Sequence, residues 1–412
     1  MNDLTCDILV VGAGPGGSMA AKWAASKGKD VLVIEKRQEI GSPVRCGEGI
    51  SKYWLEGVGI RIDKKWIANE VNGIRVFSPK LNHVEVDTTM VNREGGLIIE
   101  RDQFDKALAI DAAKAGARYM VKTAAVDLIK EENKIAGVKA KHMGENFRIY
   151  AKMIIGADGF ESQIGRWGGL NTVLRTNDEV SCLQYRMAGI ECNPDYTDFY
   201  IGSFAPGGYV WVFPKGEGVA NVGIGIELKF LKNKGDTKRM LDEFISRMPG
   251  LSKGKKIDMV AGAVSVSKPL DSVVRDNMML VGDAGRMIDP LTGGGIHAAC
   301  LSGKIAGKIA AESIEGKDYS KEFLQKYERG WRKELEEKMY RNWKAKEKIS
   351  DINDDTIDDI IQYLSKQNLT SFNIEEIAMH IKKKYPDLVK GFEDDLKKSI
   401  EESIFNALED YF

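Results

Sequence analysis

The sequence is short of several things, and each shortage closes off a class of function. Its 412 residues carry 60 basic and 61 acidic side chains, so no global field gathers nucleic acid, and only a local basic patch facing a membrane is left open. There are five cysteines: Cys6, Cys46, Cys182, Cys192 and Cys300. An odd count without a CxxC pair argues against both a disulfide scaffold and a zinc site, and it fits a reducing cytosol. No segment approaches the roughly 18 consecutive apolar residues that a spanning helix needs, and "MNDLTC" runs into a predicted strand without a signal-peptide pattern. The expected location is therefore cytoplasmic, with any membrane contact peripheral and at the inner face. The length itself calls for two or three domains or subdomains.

What is present begins at the N-terminus. "CDILVVGAGPGGSMAAKWAASKGKDVLVIEKR" reads as a strand over Asp7 to Val11, a glycine turn, a helix through about Ser26, and a second strand over Val31 to Ile34. Gly12, Gly14 and Gly17 form GxGxxG in the strand–turn–helix setting that gives the pattern its meaning, with Pro15 and Gly16 inside the same turn. Gly12 permits the tight turn, Gly14 lets backbone approach a pyrophosphate, and Gly17 allows helix to pack on strand. The N–H groups at the helix start face the anion. Glu35 ends the second strand, where a carboxylate can accept from an adenosine ribose.

Two features further along bear on a substrate. In "GSPVRCGEGIS", Gly47 and Gly49 flank Glu48 and are expected to allow positive φ and close approach to a flat ring. Cys46 in that loop is either a small buried hydrophobe or a proton donor, thiolate modulator or contact to that ring. In "APGGYVWVFPKGEGVANVGIG", two strands joined at Lys215 to Gly218 read as a hairpin. The period of two puts Tyr209, Trp211 and Phe213 on one face, while Gly223 and Gly225 on the second strand leave space. A bulky strand beside an empty one can wall an elongated apolar slot.

Two apolar strands ending in "GADG" (156–159) and "VGDAG" (281–285), the latter followed by "PLTGGGIH", resemble, with the first motif, the flavoprotein hydroxylase superfamily over roughly residues 5 to 310. That resemblance implies FAD, with Asp283 on the ribityl chain and the helix start at Gly295 and Ile296 facing the flavin's pyrimidine end. It also implies Arg101 near the phosphates or ribityl chain and a backbone contact from Ala125 to adenine. Independently, Asp283 can accept from sugar-like hydroxyls, and N–H groups at 295 and 296 can stabilise charge on a reduced flavin. More specifically, Tyr209-x-Trp211-x-Phe213-Pro214 with Gly223-x-Gly225, "PVRCGEGI" and "RNWKAKEK" (341–348) resemble the geranylgeranyl reductase family through most of the chain, nearest its archaeal members. The family implies stepwise hydrogenation of prenyl chains on digeranylgeranylglycerophospholipids during ether-lipid biosynthesis. Cys46, a flavin position or a held water are then the proton sources, while His297 stays outside the catalytic set. NAD(P)H, ferredoxin and a reduced deazaflavin are all admissible electron donors, although no second GxGxxG is present for a nicotinamide domain.

The fold class expected is α/β: a Rossmann-type FAD-binding domain with an inserted antiparallel β-sheet substrate domain and a helical C-terminal region. The expected boundaries are 1–80 with 98–172 and 258–316 for FAD, 81–97 with 173–257 for the lipid, and 317–412 for the helices. Three charged stretches, 319–349, 354–367 and 374–405, have amphipathic helical spacing. The first carries Lys338 and Arg341, expected to cap the slot and offer cations to a lipid phosphate or an anionic membrane. Two other functions stay open on sequence: an FAD monooxygenase or halogenase acting on a small aromatic, and a noncatalytic prenyl-lipid carrier.

Overall fold

Strand Leu4–Val11 is buried along its second half, and its glycine turn feeds the helix Pro15–Ala25, whose first residue is a proline already fixed in helical φ. This unit nucleates the larger sheet of the computed structural model, which describes residues 2–88, 95–132, 134–366 and 381–386. Leu4–Val11 pairs in parallel with Glu145–Gly156 on one side and Val31–Ile34 on the other; Met278–Leu280 and Arg118–Met120 extend the parallel run. An antiparallel meander, Thr123–Glu131 and Lys134–His142, leads into Glu145–Gly156. Buried on both faces, the inner parallel strands are nearly continuous in Val, Ile, Leu and Met, as such strands must be, while the edge strand Arg118–Met120 is partly exposed.

Pro15–Ala25 packs on helix Ile296–Gly316 closely enough that only glycine fits at the crossing. A Cβ on Gly303 would lie 2.2 Å from the Gly16 carbonyl oxygen, and one on Gly307 would lie 2.3 Å from that of Ala20. The two helix starts thereby converge at the same end of the sheet, which is what builds a nucleotide site there.

The second layer is a seven-stranded sheet in the order Lys255–Ser265, Glu179–Ala188, Val219–Glu227, Tyr209–Gly216, Tyr196–Tyr200, Gly73–Phe77, His83–Asp87. Two expected boundaries move. Gly73–Phe77, placed before the boundary at 80 and so with the nucleotide domain, pairs in parallel with Tyr196–Tyr200. Lys255–Ser265, cut at 257/258, lies wholly in this sheet as its edge. Both depend on pairing with strands far away in sequence, which local pattern does not encode. The sheet's outer face is covered by helix Asp236–Arg247, whose Leu241, Phe244 and Ile245 join one buried cluster with Val210, Val212 and the same-face side chains of the neighbouring strands Glu179–Ala188 and Val219–Glu227. Tyr209, Trp211 and Phe213 therefore face inward, towards the nucleotide layer.

Helix Lys321–Ile349 starts at Ser320, whose hydroxyl accepts from the Phe323 N–H. It buries Leu324, Tyr327, Trp331, Leu335 and Met339 at the spacing the sequence predicts, and the Tyr327 hydroxyl donates to the Leu280 carbonyl at 2.6 Å. Helix Asp354–Ser365 lays Ile357, Ile361 and Leu364 on the ring-bearing cluster of the second sheet. Of the third expected amphipathic stretch only 381–386 is described; the rest lies outside the described residues.

Crossing geometry this tight gives a direct expectation. Gly307→Ala should lower stability by about 1–3 kcal/mol through forced separation of the helices, whereas Gly316→Ala, with nothing within 4 Å of the added carbon, should be neutral or slightly stabilising. Urea unfolding midpoints of the two variants measure the difference, and equal midpoints would refute it.

Candidate active site

Between the two sheets lies one cavity of about 420 Å³ that brings together residues from most of the predicted set. Gly14, Pro15, Gly16, Gly17, Cys46, Gly47, Gly49, Arg101, Asp283, Gly295 and Ile296 line it from the nucleotide layer; Tyr209, Trp211, Phe213 and Gly225 line it from the second sheet, and Lys338 from the long helix.

At the nucleotide end each glycine has a distinct physical task. Gly12 has φ +107°, and a Cβ there would lie 2.2 Å from the Ala157 carbonyl oxygen; one on Gly17 would lie 1.9 Å from the Gly12 carbonyl oxygen. Gly14 has no atom within 4 Å on its side-chain side and opens onto the cavity, the bare backbone that a pyrophosphate requires. Gly12, Glu35 and Ala125 lie behind the lining. The Glu35 carboxylate accepts from the N–H groups of Ala13, at 3.0 Å, and Arg37, at 2.9 Å, which fixes it beside the turn. Burial pushes the Asp283 carboxyl above its ordinary range, with Arg101 and Arg286 opposing. Such a desolvated acceptor suits a chain of donating hydroxyls. These residues fit a flavin dinucleotide.

The cysteine loop departs from expectation in one respect: the positive φ falls on Glu48, at 77°, and on neither flanking glycine. Gly47 is required for a different reason, since a Cβ there would lie 2.8 Å from the Phe213 ring. Glu48 holds its strained backbone through its side chain. Its carboxylate, 1% exposed, accepts from the Arg101 N–H at 2.7 Å, from the Asn221 amide at 2.6 Å, and pairs with Lys215 at 2.9 Å and Arg186 at 3.2 Å. Glu100 completes the network on Lys215 and Arg186. The Cys46 sulfur accepts from the Glu48 N–H at 3.2 Å. Arg101, clamped two-pronged on Asp105 at 2.9 and 3.0 Å, faces the thiol. Burial pushes the Cys46 thiol up from its ordinary value, and the Arg101 charge partly opposes this.

The wall opposite is built in rows across strands. Tyr209 stands across from Gly225, which stands across from Cys182 and then Gly262; Trp211 is likewise in line with Gly223, Gln184 and Val260. Phe199 closes edge-on against Tyr209 and Phe213, with centroids 5.3 and 5.4 Å apart. Gly225 lines the cavity as a shallow trough edged by Val180 and Cys182, which a Cβ there would meet at 3.1 and 3.6 Å, but Gly223 does not. A Cβ on Gly223 would lie 2.2 Å from the indole of Trp211, so the vacancy is filled by that ring. Arg341 is a second correction: it is buried, pairs with Glu337 at 3.7 Å and stays outside the lining, because the helix turn that brings Lys338 and Met339 to the cavity carries residue 341 away. Lys338 lies 4.0 Å from Asp289 and over the ring of Trp54. Asp289 itself caps Leu291 and Thr292 and takes the Asn342 amide at 2.6 Å, shaping the GGG loop. Sequence reading missed Glu48 as an anchor, and missed Gln184, Asn221, Lys215, Asp289 and Asn342. Glu48, Lys215, Asn221 and Asn342 lay within motifs already singled out and Asp289 immediately before one, whereas Gln184 lay in none.

Comparison with known proteins agrees with this geometry. Residues 178–264 match the geranylgeranyl reductase catalytic domain, and residues 7–200 match the FAD dependent oxidoreductase family. A digeranylgeranylglycerophospholipid reductase of Thermoplasma volcanium is 51% identical over 95% of this chain and 99% of its own. The crystal structure of a geranylgeranyl bacteriochlorophyll reductase-like protein from Thermoplasma acidophilum superposes with a TM-score of 0.90 at 50% identity, covering 95% of this chain and 99% of that one. A myxobacterial chondrochloren halogenase, 19% identical, aligns with a TM-score of 0.68 over 98% of this chain and 97% of its own, and shares the fold.

A raised thiol leaves little thiolate at neutral pH, so iodoacetamide should label Cys46 of flavin-free protein at pH 8 more slowly than a free thiol, with the rate still rising at pH values where a free thiol has levelled off. Arg101→Met, which removes the opposing charge, should slow labelling further. Peptide mapping of the alkylated site reads both, and faster labelling in the variant would contradict the assignment.

Proposed function

The chain belongs to the digeranylgeranylglycerophospholipid reductases, and from that premise we propose that it hydrogenates the C=C bonds of geranylgeranyl chains on a glycerophospholipid, one bond at a time, in ether-lipid biosynthesis. It is an FAD-dependent oxidoreductase; bound and reduced, FAD supplies hydride. Gly14, Pro15, Gly16 and Gly17 with the start of their helix would hold the pyrophosphate, Glu35 the adenosine ribose, Asp283 the ribityl hydroxyls, and the N–H groups at Gly295 and Ile296 the pyrimidine end. Arg101 and the backbone of Ala125 complete this assignment.

An isolated trisubstituted alkene has no carbonyl to polarise it, so the protein must place the bond and deliver a proton. The observation that carries the reading is that a buried thiol and an aromatic wall share one cavity with the glycine turn. The Cys46 thiol is protonated at neutral pH because it is buried, and so has a proton to give. The thiolate left behind meets the Arg101 charge and the Glu48 N–H. Tyr209, Trp211, Phe213 and the Gly225 trough sheathe the hydrocarbon, each buried methylene contributing about 0.8 kcal/mol, and they keep water from the reacting bond.

Lys338 at the rim would take the lipid phosphate. No helix among the described residues is long and apolar enough to cross a membrane, so lipid would be collected by peripheral contact with the bilayer. The reducing equivalents would come from NAD(P)H, a ferredoxin or a reduced deazaflavin binding transiently.

Reduced protein incubated anaerobically with a digeranylgeranyl glycerophospholipid should yield products heavier in steps of two hydrogens. Cys46→Ala should slow this roughly 10²–10⁴-fold with flavin retained. A product that forms only with oxygen would favour a hydroxylase instead, and binding without mass change a carrier. Separately, Lys338→Glu should lower kcat/KM about tenfold or more on the phospholipid and much less on its dephosphorylated analogue. Equal losses on the two would remove Lys338 from headgroup recognition.

A further inference from the structure

Gln184 has no role in the mechanism above, yet it is the side chain that physically joins the lipid wall to the cysteine loop. It is 6% exposed, lines the cavity, and both ends of its amide are engaged: the Trp211 indole N–H donates to its Oε1 at 2.8 Å, and its Nε2 donates to the Cys46 carbonyl at 3.0 Å. Chemistry fixes the amide's direction. An indole nitrogen can only donate and a carbonyl oxygen can only accept, so the oxygen end must face Trp211 and the NH₂ end must face Cys46.

The register explains how a tryptophan two strands away reaches it. Trp211, Gly223 and Gln184 are consecutive members of one row, and the indole lies across the middle strand where Gly223 has no side chain. The first glycine of the Gly223-x-Gly225 pair thus exists to let this bridge form, while the second opens the trough.

We propose that Gln184 is a positioning residue for the reduction, setting the Cys46 loop in register with the ring that contacts the prenyl chain. The proposal rests on the functional reading above for its catalytic consequence, but the bridge itself can be tested without turnover. Its meaning is that the height of the thiol over the slot and the tilt of Trp211 are one coordinate. Moving either alone strands a buried donor or acceptor. Asn221, which stands across from Phe213 in the next row and donates to the Gly47 carbonyl at 3.1 Å, also supports the loop, but Phe213 has no polar atom through which a hydrogen-bonded bridge to the wall could run.

The test is a double-mutant cycle with Gln184→Met, which keeps length and loses both hydrogen bonds, and Trp211→Phe, which keeps a ring and loses the donor. Each single variant should lower kcat on the geranylgeranyl lipid by ~10-fold or more while KM and FAD affinity stay within ~2-fold, and the double variant should be no worse than the poorer single. Gly223→Ala, which displaces the indole, should show the same pattern. In resting protein, alkylation of Cys46 should change by ~3-fold or more in both single variants, again without additivity. Additive effects, an unchanged Cys46 rate, or losses confined to KM or to flavin binding would overturn the proposal. If Gln184→Met does not fold, Trp211→Phe and Gly223→Ala carry the same comparison. A wild type that reduces no prenyl lipid while the alkylation coupling holds would refute the functional reading and leave the bridge standing.

Discussion

The buried carboxylate of Glu48 is the point on which the two halves of the molecule are pinned together. Through one side chain it ties the start of the Arg101 helix, the cysteine loop and three strands of the antiparallel sheet. A charge so placed has no water, and removing one partner of such a group typically costs about 3–5 kcal/mol because another is left uncompensated. Here two cations, Lys215 and Arg186, meet two carboxylates, Glu48 and Glu100, so the cluster is neutral as a whole. The left-handed backbone at Glu48 is sustained by the same contacts. Strain of this kind persists only where surroundings over-determine it, and it lies in the loop that carries Cys46 to the cavity.

From that pin the rest of the site follows as a problem of spacing. The loop is held close enough to the sheet that residue 47 can carry no side chain, because Phe213 occupies the place a Cβ would take. The sheet, in turn, alternates filled and empty positions along single rows. A ring faces a glycine in two of them, yet the two glycines act oppositely, one admitting a side chain and the other admitting space. The alternation lets a strand rich in aromatics wall a cavity without closing it. It also answers why three large rings share one face: they do pack, edge-on around Phe199, and the same packing presents a hydrocarbon surface to the nucleotide layer.

The legible part of this architecture was whatever the chain writes locally. The strand–turn–helix at residues 4–25, the hairpin around Glu217 and Gly218, and the periodic apolar stripe from Leu324 to Met339 are each contained in one stretch, and they form as the spacing predicts. What stayed hidden depends on pairs distant in sequence, most of them more than a hundred residues apart. Gln184 reaches Cys46 across 138 positions and Asn221 reaches Glu48 across 173, and neither polar residue looks unusual inside an apolar strand. Gly73–Phe77 reads as a plain five-residue strand, and only its parallel register with Tyr196–Tyr200 assigns it to the lipid sheet. Gly223 and Arg341 were misread for a related reason. A missing side chain shows that room exists but not what fills it, and a cation on an amphipathic helix shows nothing about which neighbour its turn faces.

A raised thiol is intrinsically a poor acid for an unactivated alkene, since burial that keeps the proton on sulfur also resists its departure. The resolution lies in when each effect acts. Burial sets the resting state, in which a neutral thiol costs less to desolvate than a thiolate and keeps its proton. Arg101, locked in place by Asp105, and the Glu48 N–H act only as sulfur becomes negative, and both are already aimed at it before any reaction begins. Fixed charges and dipoles that need not reorganise favour the developing anion over the neutral ground state, and they do so most strongly where water is excluded. The dryness needed to sheathe a prenyl chain thus also makes a weak acid serviceable, so the lipid wall and the acid share one physical requirement.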